Sequence, residues 1–229
     1  RIWKIEAETV RGGIFDRNGE FLAKTNQDYS RLYPKSDSMA HVIGYSSMRF
    51  GKTGLEDRYD SFLLGTVGTQ KYINYFRRLA GKAPQGSNLI LTLDAEMQKT
   101  AFNLLAGRRG AVVAINPKTG AVIALASSPS FNPNRLQESW ESLANNESSP
   151  LLNRTVQGVY PPGSSLKIAI AGAALQKDLN LWNQIFDNPG YIEINGRRIH
   201  DTTIRTELNM EEGLAISSNV LFARLALDM

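Results

Sequence analysis

The chain of 229 residues contains no cysteine and only two histidines, His41 and His200. The lack of cysteine excludes a disulfide framework, a cysteine-ligated zinc site and a cysteine nucleophile. Two histidines leave little material for a Ser-His-Asp triad or for a metal site with several imidazole ligands. A nucleophilic serine in this chain is therefore expected to use a lysine, rather than a histidine, as its proton acceptor.

The sequence also lacks an apolar run of about 18 residues, a starting methionine and a signal peptide. We therefore expect no transmembrane helix in it, and we interpret the chain, which begins at Arg1, as a trimmed or processed piece. Lys and Arg number 26 against 22 Asp and Glu, which gives a net charge of +4 without a basic block. This pattern argues against a nucleic-acid partner and is compatible with an anionic surface such as a bacterial envelope.

A share of 42% hydrophobic and 21% charged residues predicts an ordinary folded core. A segment rich in proline, glycine and polar residues at 83–87 indicates a domain boundary. We therefore predict an N-terminal module over 1–87 and a second domain over 88–229. Asp94 stands where it can cap a helix that follows it.

Local patterns predict several smaller elements. Asn18-Gly19 fits the type I′ turn of a β-hairpin near the N-terminus. Two apolar runs, 111–115 and 121–125, are separated by five turn-forming residues and predict a second hairpin, buried on both faces. The last helix is predicted to begin near Met210 and to pass through residues 217–219.

The segment 160–168 contains the residues best suited to chemistry. Ser164 precedes Lys167 by three residues, after a Pro-Pro-Gly turn and at the start of an alanine-rich apolar run. On a helix the two side chains share one face, so an amine comes within reach of a hydroxyl, as an acyl-transferring serine requires. On its own, Ser-x-x-Lys occurs by chance about once in a chain of this length, and the serine could simply cap a helix beside a solvated lysine.

Ser217-Ser218-Asn219 offers a second hydroxyl and a carboxamide further along the chain. Ser217 could pass a proton to a leaving group, and the amide of Asn219 could hold both a substrate carbonyl and the lysine. As an isolated pattern, Ser-x-Asn is weak and is equally compatible with helix capping.

Longer segments show a resemblance to a known family. The second hairpin reads GAVVAINPKTGAVIALAS and the serine segment reads NRTVQGVYPPGSSLK, while the first third contains RGGIFDRNGEFLA, RLYP, AHVIGY and GKTGLEDRYDSFLLGTVG. Taken in their order along the chain, these segments resemble the class B, monofunctional penicillin-binding proteins, which are serine transpeptidases that cross-link peptidoglycan and are acylated by β-lactams. The resemblance covers nearly the whole chain.

The resemblance implies an α+β fold, in which helices pack around the mainly antiparallel sheet of a transpeptidase domain. A β-rich, non-catalytic module of the dimerisation or pedestal kind would precede that domain. Ser164 would be the nucleophile, with its backbone N–H as one half of the oxyanion hole, and Ser217 and Asn219 would form the second motif. Lys167 would be the general base, provided that burial or a nearby positive charge lowers its pKa. No metal and no organic cofactor is implied.

The implied function is D,D-transpeptidation of peptidoglycan stem peptides that end in D-Ala-D-Ala, with β-lactams as covalent inhibitors. The family implies an extracytoplasmic location, a membrane anchor in a segment that precedes this sequence, and cell-wall synthesis proteins as partners of the N-terminal module. Asp16, Arg17 and Glu56 are expected to fix loops of that module rather than to take part in catalysis.

One departure from the family pattern affects these expectations. The family's third motif, Lys-Thr-Gly, follows Ser-x-Asn, whereas the triplet at 118–120 precedes Ser164 and falls in a hairpin turn. We interpret it as turn chemistry and expect the chain to stop before the third motif and to be inactive by itself. The alternatives are a D,D-carboxypeptidase or a serine β-lactamase, against which the N-terminal module argues, or a non-catalytic cell-wall scaffold or β-lactam sensor.

Overall fold

The computed structural model describes residues 8–203 and 205–229 of the chain. The chain divides into two compact units, one that ends at Val159 and one that runs from Tyr160 to Met229. Strands that pair mainly antiparallel are mixed with helices, in agreement with the predicted α+β class. None of the helices described is both long and apolar enough to cross a lipid bilayer.

The described part of the first unit contains eight short strands and six α-helices. The strands are β1 (Ile14–Phe15), β2 (Phe21–Thr25), β3 (Arg31–Leu32), β4 (Ser46–Ser47), β5 (Gly51–Lys52), β6 (Leu89–Ile90), β7 (Gly110–Ile115) and β8 (Val122–Ser128). The helices are α1 (Ala40–Ile43), α2 (Gly54–Arg58), α3 (Asp60–Leu63), α4 (Gly68–Leu79), α5 (Ala95–Leu105) and α6 (Leu136–Ala144).

A four-stranded sheet in the order β3-β2-β1-β6 forms the centre of the N-terminal segment. Strand β1 pairs antiparallel with β2 and parallel with β6. Ile14 and Leu22 from this sheet are fully buried and share a core with Ile43 and Leu63 from the short helices. Because β6 begins just after residue 87, the sheet joins segments from both sides of the predicted boundary, and that boundary stays a prediction.

The loop between β1 and β2 differs from the predicted type I′ turn. Such a turn requires a positive φ at both central residues, but of Asn18 and Gly19 only Gly19 has one, at 83°. The Asp16 carboxylate instead organises a longer loop, since its Oδ1 accepts hydrogen bonds from the backbone N–H groups of Asn18 and Glu20, both at 2.8 Å. Asp16 therefore fixes a loop, as predicted.

Helix α5 and the hairpin of β7 and β8 form a second layer in this unit. The helix begins after Asp94, whose side chain accepts hydrogen bonds from backbone N–H groups of the first turn, as predicted. Strands β7 and β8 pair antiparallel, and small buried residues pack the helix against them: Ala101, Ala124 and Ala126. Val113 and Ile115 are 45% and 54% exposed, so the prediction that both faces of the hairpin are buried was wrong.

The second unit contains four strands and three α-helices in its described residues. The strands are β9 (Phe186–Asp187), β10 (Tyr191–Ile194), β11 (Arg197–His200) and β12 (Glu207–Leu208), and the helices are α7 (Leu166–Lys177), α8 (Met210–Ala215) and α9 (Asn219–Leu227). Its core lies between α7, α8 and α9 and contains Ala171, Ala174, Leu208, Met210, Leu221, Phe222 and Leu225. Between β10 and β11, Asn195 and Gly196 have φ angles of 49° and 74°, which are the two positive values of a type I′ turn.

The single helix predicted from Met210 through residues 217–219 is in fact two helices. Helix α8 ends at Ala215, and Ser217 then adopts a left-handed φ of 57°. The side chain of Ser218 caps the next helix by accepting a hydrogen bond from the backbone N–H of Leu221 at 3.0 Å. The break turns the Ser217 side chain out of the helical path and places it at the start of α9.

Candidate active site

Ser164 lies in a short 3₁₀ turn, Gly163–Ser165, that leads into α7. Gly163 has a φ of 56°, a left-handed conformation that glycine adopts without strain. Pro162 precedes this turn, and its carbonyl accepts a hydrogen bond from Ser165 Oγ at 2.5 Å. Ser164 is exposed to solvent, whereas Lys167, one helical turn later, is only 9% exposed. The turn thus places an accessible hydroxyl one turn from a buried amine.

The ammonium group of Lys167 contacts both predicted residues of the second motif. Its Nζ donates to the carbonyl of Ser217 at 2.5 Å, to Ser217 Oγ at 3.0 Å and to Asn219 Oδ1 at 2.6 Å. These three bonds use all three protons of the ammonium. Ser217 Oγ also lies 3.1 Å from Ser164 Oγ and donates to it. The structure therefore brings all four predicted side chains together and connects Ser164 to Lys167 through Ser217.

The environment of Lys167 lowers the pKa of its amine. Burial is the largest influence, because a charged amine loses solvation inside the protein, and the carboxylate of Asp201 partly opposes it by favouring the charged form. As a result, the pKa of the Lys167 amine lies below the usual value for lysine. A larger fraction of the amine is therefore neutral at a given pH, and the neutral amine is the form that can accept a proton.

Asp201, which sequence reasoning missed, holds the second motif in place. Its Oδ1 accepts hydrogen bonds from the backbone N–H groups of Asn219 and Val220 at 2.5 and 2.9 Å, and its Oδ2 accepts from Ser218 Oγ at 2.7 Å and Asn188 Nδ2 at 2.9 Å. Burial alone would favour the neutral carboxyl, but these hydrogen bonds keep the pKa of Asp201 below its usual value. An ionised carboxylate thus occupies the N-terminus of α9, where backbone N–H groups lack helical partners.

No local sequence pattern marks Asp201. Its partners lie 13 to 19 residues away along the chain, so their meeting depends on the β10–β11 hairpin and on the break between α8 and α9. The available signal was weaker: an acidic residue shortly after the turn-forming dipeptide Asn195-Gly196, and three capping residue types in a row at 217–219. Neither pattern shows, without a structure, that Asp201 contacts residues 218–220.

The side-chain amide of Asn219 has a defined orientation. Its Oδ1 accepts from Lys167, and its Nδ2 donates to the backbone carbonyl of His200 at 2.9 Å. A carboxamide carries two N–H donors. Asn219 can therefore hold the lysine and still offer a donor to a bound group.

Two Lys-Thr-Gly triplets lie in the first unit, and each forms part of a connection between elements of secondary structure. The triplet at 118–120 forms the β7–β8 turn, where Asn116 Oδ1 accepts from the backbone N–H of Lys118 at 2.9 Å, which confirms that it is turn chemistry. The triplet at 52–54 joins β5 to α2. There Gly54 approaches the backbone of Gly44 so closely that a Cβ atom would lie 2.8 Å from its nitrogen.

Neither histidine contributes its ring to the Ser164 cluster. The ring Nε2 of His41 lies 2.8 Å from the carbonyl oxygen of Pro150 in the first unit, and burial lowers the pKa of this ring. His200 contributes its backbone carbonyl to Asn219. In the part of the chain that the structure describes, no three His, Asp or Glu side chains are grouped so that they could hold a metal ion.

Comparison with protein families gives two matches. Residues 110–229 match the penicillin binding protein transpeptidase domain, and residues 11–89 match the penicillin binding protein A dimerisation domain. The first match contains Ser164, Lys167 and the second motif.

Curated proteins with similar sequences carry related names. The peptidoglycan D,D-transpeptidase MrdA of Acinetobacter baumannii is 37% identical over 233 residues, covering 87% of this chain and 35% of that protein. MrdA of Escherichia coli K12 is 33% identical over 87% of this chain and 37% of its own length. The peptidoglycan D,D-transpeptidase PbpA of Mycolicibacterium smegmatis is 32% identical over 87% of this chain and 45% of its length. The chain thus spans less than half the length of these relatives.

Solved structures show the same likeness in three dimensions. Penicillin-binding protein A of Mycobacterium tuberculosis, as a ceftriaxone acyl-enzyme complex, has a TM-score of 0.87 and 28% identity, over 97% of this chain and 55% of that one. The D,D-transpeptidase domain of a peptidoglycan glycosyltransferase from Eggerthella lenta has a TM-score of 0.82 and 33% identity, over 97% of this chain and 51% of that one.

Proposed function

The chain belongs to the penicillin-binding protein transpeptidases, as its motifs indicated, and we propose that the whole protein is a peptidoglycan D,D-transpeptidase. The observation that carries this proposal is the hydrogen-bond path from Ser164 Oγ through Ser217 Oγ to Lys167 Nζ. A serine that reaches a buried amine of lowered pKa can be activated without a histidine.

The proposed substrate is a peptidoglycan stem peptide that ends in D-Ala-D-Ala. Structures of the M. tuberculosis protein have been solved as acyl-enzyme complexes with ceftriaxone, imipenem and penicillin G. By similarity, we assign Ser164 as the residue that stem peptides and β-lactams acylate in this protein. Its exposed position at the start of α7 supports that assignment, because a peptide carbonyl can approach it from solvent.

In the acylation step, Ser164 Oγ attacks the carbonyl carbon of the penultimate D-alanine. Neutral Lys167 accepts the proton through Ser217: Ser164 donates to Ser217 Oγ while the Ser217 hydroxyl donates to Lys167 Nζ. The peptide C–N bond then breaks, and the proton returns through Ser217 to the amine of the leaving D-alanine. An amine from a second stem peptide releases the acyl group in the reverse sequence of proton transfers.

The oxyanion of the tetrahedral intermediate needs hydrogen-bond donors. We assign the backbone N–H of Ser164 as one donor, because it lies in the first turn that leads into α7, where N–H groups lack helical partners. Asn219, held by Lys167 and His200, is assigned to a carbonyl of the bound peptide. The proposed reaction uses no metal and no organic cofactor.

We further propose an extracytoplasmic location and attachment of the whole protein to the cell membrane, since stem peptides are cross-linked outside the cytoplasm. The module over 1–87 is proposed to contact cell-wall synthesis partners, and the domain from residue 88 onward to carry the catalytic residues. The separate family matches to residues 11–89 and 110–229 support this division, and all four assigned side chains lie within the second match.

Intact-protein mass spectrometry of the whole protein with excess penicillin tests the proposed function. We expect one stable adduct, mapped by peptide analysis to the segment that holds Ser164, and none in the Ser164→Ala variant. Ser165→Ala is the matched control, since Ser165 is its neighbour in the same turn and bonds only to Pro162 among the contacts described. An adduct on another residue would overturn the assignment.

The fate of the penicillin adduct, together with an assay on a stem peptide and an acceptor amine, separates the alternatives. A serine β-lactamase would hydrolyse the penicillin and return to its unmodified mass within the assay, whereas a transpeptidase would remain acylated. A carboxypeptidase would form the adduct but would release D-alanine from a stem peptide without joining it to an acceptor amine. A non-catalytic scaffold would show no adduct at all.

A further inference from the structure

Helix α4 (Gly68–Leu79) carries an apolar face that points away from the protein. Five large apolar side chains at helical spacing share this face. They are Tyr72 (69% exposed), Ile73 (46%), Tyr75 (61%), Phe76 (67%) and Leu79 (70%). An ordinary surface helix buries such a stripe against the core.

The opposite, polar face attaches α4 to the rest of the unit. Asn74 is the buried residue of the helix, and its Nδ2 donates to the carbonyls of Gly65 and Gln85 at 3.0 and 2.9 Å. Its Oδ1 accepts from the backbone N–H of Gln85 at 2.9 Å. Arg77 Nε donates to the carbonyl of Ala83 at 2.9 Å. The orientation of the helix is therefore fixed by specific polar contacts, and its apolar face is held outward by them.

The charges around this face are mainly positive. Residues 61–93 contain no aspartate or glutamate. The basic residues in this segment are Lys71, Arg77, Arg78 and Lys82. Glu8 lines a shallow cleft with Arg78 and Lys82, so one acidic group offsets part of the charge at that end. The rim of the apolar face is positively charged overall.

This charge distribution discriminates between possible occupants. In a symmetric dimer built on α4, each face would meet a copy of itself. Lys71 and Arg78 of both copies would then approach one another, and residues 61–93 contain no carboxylate that could offset their positive charges. A second copy is therefore a poor occupant, whereas a surface that is apolar inside and anionic at its edge matches both features.

We propose that α4 lies on an anionic lipid membrane, parallel to its surface, with Tyr72, Phe76 and Leu79 inserted at the boundary between headgroups and acyl chains. An exposed apolar stripe flanked by lysine and arginine on a helix of low overall hydrophobicity is the pattern of helices that bind in the membrane interface. The basic side chains would meet lipid phosphates, and this attraction weakens as salt screens it. This contact goes beyond the proposed catalysis, because it uses none of the active-site residues.

The absence of cysteine makes a direct test possible. A single thiol is introduced into the 229-residue chain as Leu79→Cys and labelled with an environment-sensitive fluorophore. Leu104→Cys is the matched control, because Leu104 is 69% exposed and also lies near the end of a helix of the first unit. With vesicles of phosphatidylcholine that contain about one third phosphatidylglycerol, we expect a blue shift of the label at position 79 and none at position 104.

Binding is then measured by co-sedimentation with the same vesicles. We expect Lys71→Gln with Arg78→Gln to weaken binding by about fivefold per charge removed, and Phe76→Ser with Leu79→Ser to weaken it by at least about tenfold. Met97→Ser with Leu104→Ser on α5 should leave it unchanged. Circular dichroism confirms that each variant is folded.

Three results would overturn the proposal. One is equal binding to pure phosphatidylcholine vesicles, which would show that the anionic surface is not recognised. Another is an equal response of the labels at positions 79 and 104. The third is a dimer in lipid-free solution that Phe76→Ser with Leu79→Ser dissociates, which would show that a second copy covers this face.

Discussion

Two opposing influences set the behaviour of Lys167. Burial favours its neutral form, and the charge of Asp201 favours the protonated form. The pKa of the amine is lowered, so burial is the stronger influence. The three acceptors around Nζ also fix its position, which means that the same side chain can be held in place while charged and accept a proton once neutral.

A first prediction concerns the pH dependence of acylation. If the neutral amine is required, the acylation rate increases with pH up to the pKa of Lys167 in the folded protein. Below that pKa, the rate is tenfold lower for each pH unit. Because that pKa is lowered, the midpoint lies below the usual lysine value of about 10.4. The rate of reaction with a fluorescent penicillin is measured with the whole protein from about pH 6 to about pH 10.4.

Lys167→Arg is the control for this profile, since a guanidinium stays protonated throughout that range. We expect the variant to lose at least about 100-fold in acylation rate at every pH. A rate that does not change with pH, or an arginine variant that keeps its activity, would show that Lys167 is not the proton acceptor.

A second prediction concerns Asp201 as a positioning residue. Asp201→Asn removes the charge that raises the pKa of Lys167, so the midpoint of the pH profile should move to lower pH. The new amide N–H₂ would face groups that now donate to the carboxylate, Ser218 Oγ and Asn188 Nδ2 among them. The second motif should therefore be less well ordered, and the rate above the midpoint should fall about tenfold.

The matched control for Asp201 is Asp178→Asn. Asp178 also caps a helical segment of the second unit, where its Oδ1 accepts from the backbone N–H of Asn180 at 2.9 Å. We expect this variant to leave the pH midpoint unchanged. If both variants lower the rate equally and neither moves the midpoint, Asp201 serves only the stability of the unit.

At this scale, the predictability of a residue depended on how far away its partners lie. Ser164 and Lys167 are three residues apart, and Ser217 and Asn219 are two apart, so short motifs indicated all four. Their bridging geometry was not predictable, because it depends on the left-handed φ of Ser217. Asp201 was missed for the same reason, since every one of its partners is more than ten residues distant.

The elements of secondary structure show how much local chemistry can decide. Asn18-Gly19 and Asn195-Gly196 are the same dipeptide, yet only the second forms a type I′ turn. Asp16 explains the difference, because its carboxylate accepts hydrogen bonds from two backbone N–H groups and so stabilises a longer loop in the first hairpin. In the second hairpin, strands β10 and β11 pair directly up to the turn.

Apolar patterns predicted where an element of secondary structure forms better than they predicted which of its side chains are buried. The runs at 111–115 and 121–125 form the predicted hairpin, but half-exposed side chains on β7 show that an apolar run does not establish burial on both faces. Helix α4 illustrates the limit more strongly. Its periodic apolar residues are exposed rather than buried, because polar contacts of Asn74 decide which face turns inward.

At the scale of the whole molecule, the first unit contains a buried charge cluster that links distant segments. Glu56 is fully buried, and its two oxygens lie 2.7 Å from Arg11 Nε and 2.7 Å from Arg31 Nε. Arg11 also lies 2.6 Å from Asp60. The expectation that Glu56 fixes loops of the N-terminal module is confirmed, since these pairs connect β3 and α2 to the segment that precedes β1.

The final prediction follows from the cost of breaking a buried ion pair. Glu56→Gln removes the carboxylate that Arg11 and Arg31 share inside the protein, and of the two only Arg11 keeps a carboxylate partner among the described residues, Asp60. We therefore expect the free energy of unfolding to fall by about 3–5 kcal/mol. Glu20→Gln removes an exposed partner of Lys35 and should cost less than about 1 kcal/mol. Denaturant unfolding of both variants, followed by circular dichroism, gives the comparison. Equal losses would contradict the prediction, because they would show that the buried charge of Glu56 contributes no more to stability than the exposed charge of Glu20.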